Sequence, residues 1–144
     1  MLKKEKLAFF SPNYDTKNNV MFYQQGIKAG FPSPAGDFDE TKISLDQFLI
    51  KNKETTFYAK ASGTSMIGAG IDDGDIIVID RSLPAENGKI AVCYIDGDFT
   101  VKRISINKNL IQLLPENKNY TPITITRENE FIVWGIVTHV IKSL

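Results

Sequence analysis

The chain has 144 residues, 42% of them hydrophobic, and its 17 Lys and Arg balance its 17 Asp and Glu. A domain-sized chain of this kind buries roughly two-thirds of its unfolded surface, while zero net charge argues against sequence-specific DNA binding through a phosphate-neutralising surface. The single cysteine, Cys93, and single histidine, His139, exclude a disulfide within the chain and leave a structural zinc site short of ligands, so neither metal nor cofactor is implied.

Lys3, Lys4 and Lys6 form the only basic cluster, and the apolar run 7–10 behind them falls short of a signal-peptide core of ~7–15 residues or a membrane span of ~20. A cytoplasmic protein with no membrane partner is expected. Residues 1–41 are dense in breakers and polar residues, among them Pro12, Asn13, Gly26, Gly30, Pro32, Pro34 and Gly36, and supply no periodic apolar face. They read as a flexible arm, with at most a short helical turn over 19–27. Phe31-Pro32-Ser33-Pro34 should be stiff and extended, because proline fixes its own φ and restricts its predecessor.

Residues 42–144 read as a compact β domain. Residues 44–50 predict a short helix capped by Ser44, with Leu45, Phe48 and Leu49 on one face. Strands are expected at 56–61, 75–80, 89–95, 99–106, 110–114 and 130–141, most of them rich in β-branched and aromatic residues. Asn87-Gly88 and Asp96-Gly97 are turn dipeptides, and the second, between two apolar runs, marks a hairpin. The expected fold is mostly β: short antiparallel strands in a curled or barrel-like sheet, behind the arm.

Several motifs fail on inspection. Gly68-Ala69-Gly70 begins like a dinucleotide loop, but Asp73 stands where the third glycine belongs. Asp72, Asp73 and Asp75 miss the EF-hand spacing and read as a polar turn before a strand. His139 lies inside a long strand, where a lone histidine is more often packed than catalytic.

Ser62-Gly63-Thr64-Ser65-Met66-Ile67 reads as a tight, exposed turn after a strand; it is not a nucleophile elbow, since Ile67 replaces the second glycine. If His139 is not its base, Ser65 needs a neutral lysine. Lys102 shares a strand face with Thr100, Ile104 and Ile106, whereas Arg103 points away with Phe99, Val101 and Ser105. Burial among apolar neighbours disfavours the charged form of a lysine. From spacing alone Lys102 is either such a buried base or an ordinary solvated strand residue.

Lys60-Ala61-Ser62-Gly63-Thr64-Ser65-Met66-Ile67, Gly70-Ile71, Asp73-Gly74-Asp75 and Gly97-Asp98-Phe99-Thr100-Val101-Lys102-Arg103 resemble the nucleophile and lysine segments of the UmuD and LexA group of self-cleaving serine peptidases (peptidase S24). Ala29-Gly30-Phe31-Pro32-Ser33-Pro34-Ala35 is similar to the UmuD cleavage segment. Leu113-Leu114-Pro115-Glu116-Asn117, Tyr120-Thr121-Pro122-Ile123 and Trp134-Gly135-Ile136-Val137 resemble later strands of the family. The resemblance implies a sheet of the LexA and signal peptidase type, with Ser65 as nucleophile and Lys102 as base cutting the Ala29-Gly30 bond. Backbone N–H groups of Thr64 and Ser65 would hold the oxyanion.

Thr64 stands where the UmuD branch often carries an acidic residue, and the arm is too short and aperiodic for the helix-turn-helix of LexA-type proteins. A UmuD-like protein is therefore implied: a homodimer that cuts itself when stimulated by a RecA–DNA filament in the SOS response, then serves a UmuC-like translesion polymerase. Competing readings are a non-catalytic dimeric interaction module, a truncated regulator of the LexA or phage-repressor type, and a signal-peptidase-like enzyme, which would need a membrane anchor.

Overall fold

The computed structural model describes residues 7–14, 19–23, 29 and 40–144. In chain order the elements are β1 (Ala8–Phe10), β2 (Asn19–Tyr23), β3 (Glu40–Ser44), α1 (Leu45–Leu49), β4 (Thr56–Lys60), a single 3-10 turn (Ile67–Ala69), β5 (Ile76–Asp80), β6 (Ile90–Ile95), β7 (Asp98–Asn107), β8 (Leu110–Leu114), β9 (Ile123–Thr124) and β10 (Phe131–Ile141). They fall into two compact units, one of Met1–Pro12 with Asn52–Leu144 and the other of Asn13–Lys51.

The first unit is one antiparallel sheet in the order β1-β4-β5-β10-β6-β7-β8-β9. It bears out the mostly β expectation, but β1 and β9 are unjoined edges, so the sheet does not close into a barrel. The β6–β7 hairpin turns on Asp96 (φ 48°) and Gly97 (φ 92°), the paired left-handed conformations of a type I′ turn, whose twist suits the flanking strands. The eleven-residue β10 spans the middle, pairing β6 through 131–136 and β5 through 136–141. Its register shifts between Val133 and Gly135, where Ile79 comes so close that a Cβ on Gly135 would lie 2.5 Å from the Ile79 Cγ2. Only glycine permits that approach.

Both faces of the central strands are covered. Ala59, Ile77, Ile79, Val92 and Val101 belong to one buried cluster, while Ala91, Cys93, Ile104, Leu113 and Ile136 form another. Side-chain alternation along β6 sends Val92 one way and Ala91 and Cys93 the other, which puts the clusters on opposite faces. Ile77, Val78 and Ile79 are all fully buried, and at ~1.5–3 kcal/mol per aliphatic side chain this strand is a firm base for whatever its neighbours carry.

The second unit pairs β2 with β3, from Asn19 opposite Ser44 to Tyr23 opposite Glu40, and continues into α1. The helix begins after Ser44 as expected, although Ser44 makes no side-chain cap bond and Leu45 and Phe48 are exposed. One expectation for the leader fails, and its strands were not anticipated. Residues 8–10 and 19–23 are strands, and the helical turn placed over 19–27 is an extended segment where the structure describes it. The physical reason is pairing: β1 and β2 each borrow hydrogen bonds from a strand far along the chain, which local periodicity does not register.

Candidate active site

Ser65 sits on the connection that leaves β4 and returns to β5. Gly63 makes the turn, with φ at 93°, and its N–H donates to the Asp73 carboxylate at 2.8 Å. Asp73 in turn lies in the 72–75 turn, which is stitched to Ala61 by two backbone bonds, Ala61 N to Asp75 O and Gly74 N to Ala61 O, each 2.8 Å. The turn is tight, as expected, but it is not exposed at the serine: Ser65 has no exposed surface and Met66 is 3% exposed.

Lys102 is also buried, at 5% exposure, so the solvated reading is overturned. Its Nζ lies within hydrogen-bonding distance of several oxygens of the described residues, among them Ser65 Oγ at 3.0 Å, Thr100 Oγ1 at 2.7 Å and the Val101 carbonyl at 3.1 Å. The Thr100 contact follows from alternation, because residues two apart on β7 share a face. These contacts suit an ammonium donating three bonds. They equally suit a neutral amine that donates to Thr100 and Val101 and receives the Ser65 hydroxyl on its lone pair. A proton can therefore pass between the two groups without either side chain moving.

A loop that the sequence reading treated only as family strand also shapes the site. Residues 115–122, between β8 and β9, do not form a strand. Glu116 N donates to the Ser65 carbonyl and Gly68 N donates to the Glu116 carbonyl, both at 2.8 Å. Asn117 Nδ2 donates to the Thr64 carbonyl at 2.8 Å, and the Thr64 and Tyr120 hydroxyls are 3.1 Å apart. The Glu116 carboxylate is held by Arg103 Nε at 2.5 Å, and Arg103 Nη1 donates to the Gly88 carbonyl at 2.6 Å. The strand that positions Lys102 thus also anchors the loop that clamps Ser65. Ile67, Gly68, Leu114, Glu116, Asn117 and Tyr120 help to line an open groove of about 940 Å³ beside this turn.

The other sequence candidates lie elsewhere. His139 Nδ1 is 3.0 Å from the Thr138 hydroxyl on its own strand, β10. Cys93 is fully buried on β6; burial pushes its thiol up to about 12, against the pull of the nearby Lys102 charge, so it is inert as a nucleophile. Asp72 and Asp75 form no metal cluster with other described residues; they pair with Lys142 instead. Ala29 lies exposed in a bend, and Gly30 lies outside the described residues. Among the described residues no helix is long and apolar enough to cross a membrane.

An open antiparallel sheet that holds a serine hydroxyl against a buried lysine amine narrows the class to serine peptidase-like domains. Residues 21–138 match the family model described as Peptidase S24-like. The chain is 38% identical over 132 residues to Protein MucA of Salmonella typhimurium, covering 91% of this chain and 90% of MucA. It is 38% identical over 131 residues to Protein ImpA of Shigella flexneri, covering 90% and 88%. A LexA repressor from Sodalis glossinidius is 36% identical over 118 residues, 81% of this chain and 58% of the repressor. The chain belongs to the peptidase S24-like family, as a UmuD-like member.

Proposed function

We propose that this protein is a single-turnover autopeptidase in which Ser65 and Lys102 cut the Ala29-Gly30 bond. The observation that carries the reading is the 3.0 Å approach of Lys102 Nζ to Ser65 Oγ, both groups being buried. Neutral Lys102 takes the hydroxyl proton as Ser65 Oγ bonds to the Ala29 carbonyl carbon, whose oxygen becomes the oxyanion. As the carbon–nitrogen bond breaks, Lys102 returns that proton to the departing Gly30 nitrogen. Water, losing a proton to Lys102, then attacks the Ser65 ester and frees the Ala29 carboxylate; the proton goes back to Ser65 Oγ.

N–H groups of Thr64 and Ser65 are the proposed oxyanion donors. The Thr64–Ser65 peptide is planar and trans, so the bond from Asn117 to the Thr64 carbonyl also fixes the Ser65 N–H, which points the opposite way within that plane. The small side chain of Ala29 and the absence of one at Gly30 suit a narrow cleft beside Ser65; the segment 31–34, expected to be stiff, lies outside the described residues. In this reading residues 1–41 are an arm that contains the cleavage site, and 42–144 the peptidase domain.

Kinship with MucA, ImpA and LexA supports a cytoplasmic SOS-response setting. There the protein is a homodimer, its cutting stimulated by a RecA–DNA filament, and the shortened form assists a UmuC-like translesion polymerase. Incubating the pure chain at rising pH tests the chemistry: a cut after Ala29 that is lost in Ser65→Ala and Lys102→Ala is expected. An intact wild-type chain under filament stimulation and alkaline pH, or undiminished cutting in Ser65→Ala, would sink it.

A further inference from the structure

Both described strands of the leader pair with strands that lie beyond the proposed cut. β1 runs antiparallel to β4, with Ala8 opposite Lys60, Phe9 opposite Ala59 and Phe10 opposite Tyr58. In the other unit β2 pairs with β3 over five residues. Cutting after Ala29 breaks one covalent bond and none of these ladders.

The side chains of β1 add a specific seat. Alternation turns Ala8 and Phe10 outward, Phe10 being 51% exposed, and turns Phe9 inward. The Phe9 ring lies 4.7 Å from that of Trp134 and 5.1 Å from that of Phe99, the latter at 67° in edge-to-face contact. Phe57 packs on Trp134 at 5.3 Å, and Tyr94 on Phe99 at 5.5 Å, so the seat is built from rings on β4, β6, β7 and β10. Leu7 lines the same small cleft as Ser62, Gly63, Met66 and Val101, next to the serine turn. Backbone pairing at an edge with one aromatic anchor is how an extended peptide adds itself to a sheet.

We propose that the β4 edge and its aromatic seat form a strand-docking site whose occupant is the leader's own segment 7–10, retained after self-cleavage. The idea rests on the cleavage reading above. Its consequence is that cutting alone does not unmask this face of the peptidase domain: the cut protein is a two-piece complex, and displacement of the leader is a separate, reversible step. A competitor for the site would be another extended strand with an aromatic residue flanked by outward-facing neighbours.

The test is made on the full chain. After self-cleavage, non-denaturing size exclusion followed by mass spectrometry should find fragment 1–29 eluting with fragment 30–144; elution of 30–144 alone overturns the proposal. If no self-cut forms, the cleavage reading fails by itself, and retention is still measured in a variant whose residues 33–38 are replaced by the recognition sequence of an added protease. Phe9→Ala should speed release of the leader by about tenfold to a hundredfold, as expected for loss of a half-buried ring, while Phe10→Ala leaves release unchanged. Equal release from the two variants refutes the Phe9 seat. Hydrogen exchange provides a measure that needs no substitution: the amides of Tyr58 and Lys60, which alternation turns toward β1 while that of Ala59 faces β5, should stay protected in the cut, unseparated protein, and prompt loss of that protection on cutting counts against the proposal.

Discussion

Asn117 reaches across 53 positions of sequence to hold the carbonyl of Thr64, and through one rigid peptide plane it aims the N–H of Ser65. Asn117 also accepts the Asn119 N–H at 2.9 Å, so its amide is oriented from both ends. The near-isosteric Asn117→Asp keeps the acceptor and replaces the donor by a carboxylate oxygen that repels the Thr64 carbonyl. Cutting should slow by roughly tenfold to a hundredfold, short of the ~10²–10³ lost with a direct oxyanion donor. The pH profile of the remaining cutting should keep its shape, because the proton acceptor is untouched; a displaced profile would show that Asn117 acts through Lys102 instead.

Lys102 accepts a proton only as the uncharged amine, so the rate of cutting should climb with pH. Lys102→Arg should be inactive throughout, since a guanidinium stays charged at any usable pH and its planar fork does not match the oxygens around Nζ. Lys102→Met should also be inactive yet fold well, as an apolar chain of similar length replaces a buried amine. Cutting by either variant, followed by gel and mass spectrometry, would remove Lys102 from the chemistry.

Gly68 is 2.8 Å from the Glu116 carbonyl through its N–H, and a Cβ there would meet that oxygen at 2.6 Å. Gly68→Ala forces either the 3-10 turn or the 115–122 loop to shift, at a cost of about 1–3 kcal/mol. The melting temperature should fall and cutting should fall with it, because the same loop holds the Ser65 carbonyl. A variant that melts lower but cuts at the normal rate would separate the loop from the site.

Acid should loosen the sheet at two buried carboxylates. Burial alone would raise Asp75, but hydrogen bonds from Lys142 and the Asp72 N–H outweigh it and hold the carboxyl below its ordinary value. Burial likewise opposes the charged form of Asp80, and bonds from Ser82, Thr55 and Asn52 more than offset it. A carboxyl depressed in the folded state contributes stability above its unfolded pKa of ~3.9 and loses it as pH falls through the folded value. Chemical denaturation should therefore show stability level from pH 7 to about 5 and declining below about 4. In Asp80→Asn the decline should be shallower; an identical slope would place the acid sensitivity in other groups.

The β domain was legible because its strands carry their own evidence. Residues 90–95 and 131–141 are dense in β-branched and aromatic side chains, and Asp96-Gly97 names its turn through the positive φ that both residues tolerate. The leader strands were not legible. Three residues, Ala8–Phe10, are too few for an alternation to stand out, and Asn19–Tyr23 sits among breakers that make it look unstructured. The site was half legible: family resemblance singled out Ser65 and Lys102, whereas Asn117, Tyr120 and Asp73 carried no local sign of what they hold.

The chain's order of residues determined where the longer strands of the peptidase domain run and where the β6–β7 hairpin turns, because those properties depend on side chains within a few positions of one another. Only the tertiary structure decided that Ser65 and Lys102 touch, that both are withdrawn from water, and that β1 lies on β4. Burial and long-range pairing are properties of what packs against a residue, and for these residues the partners stand tens of positions away.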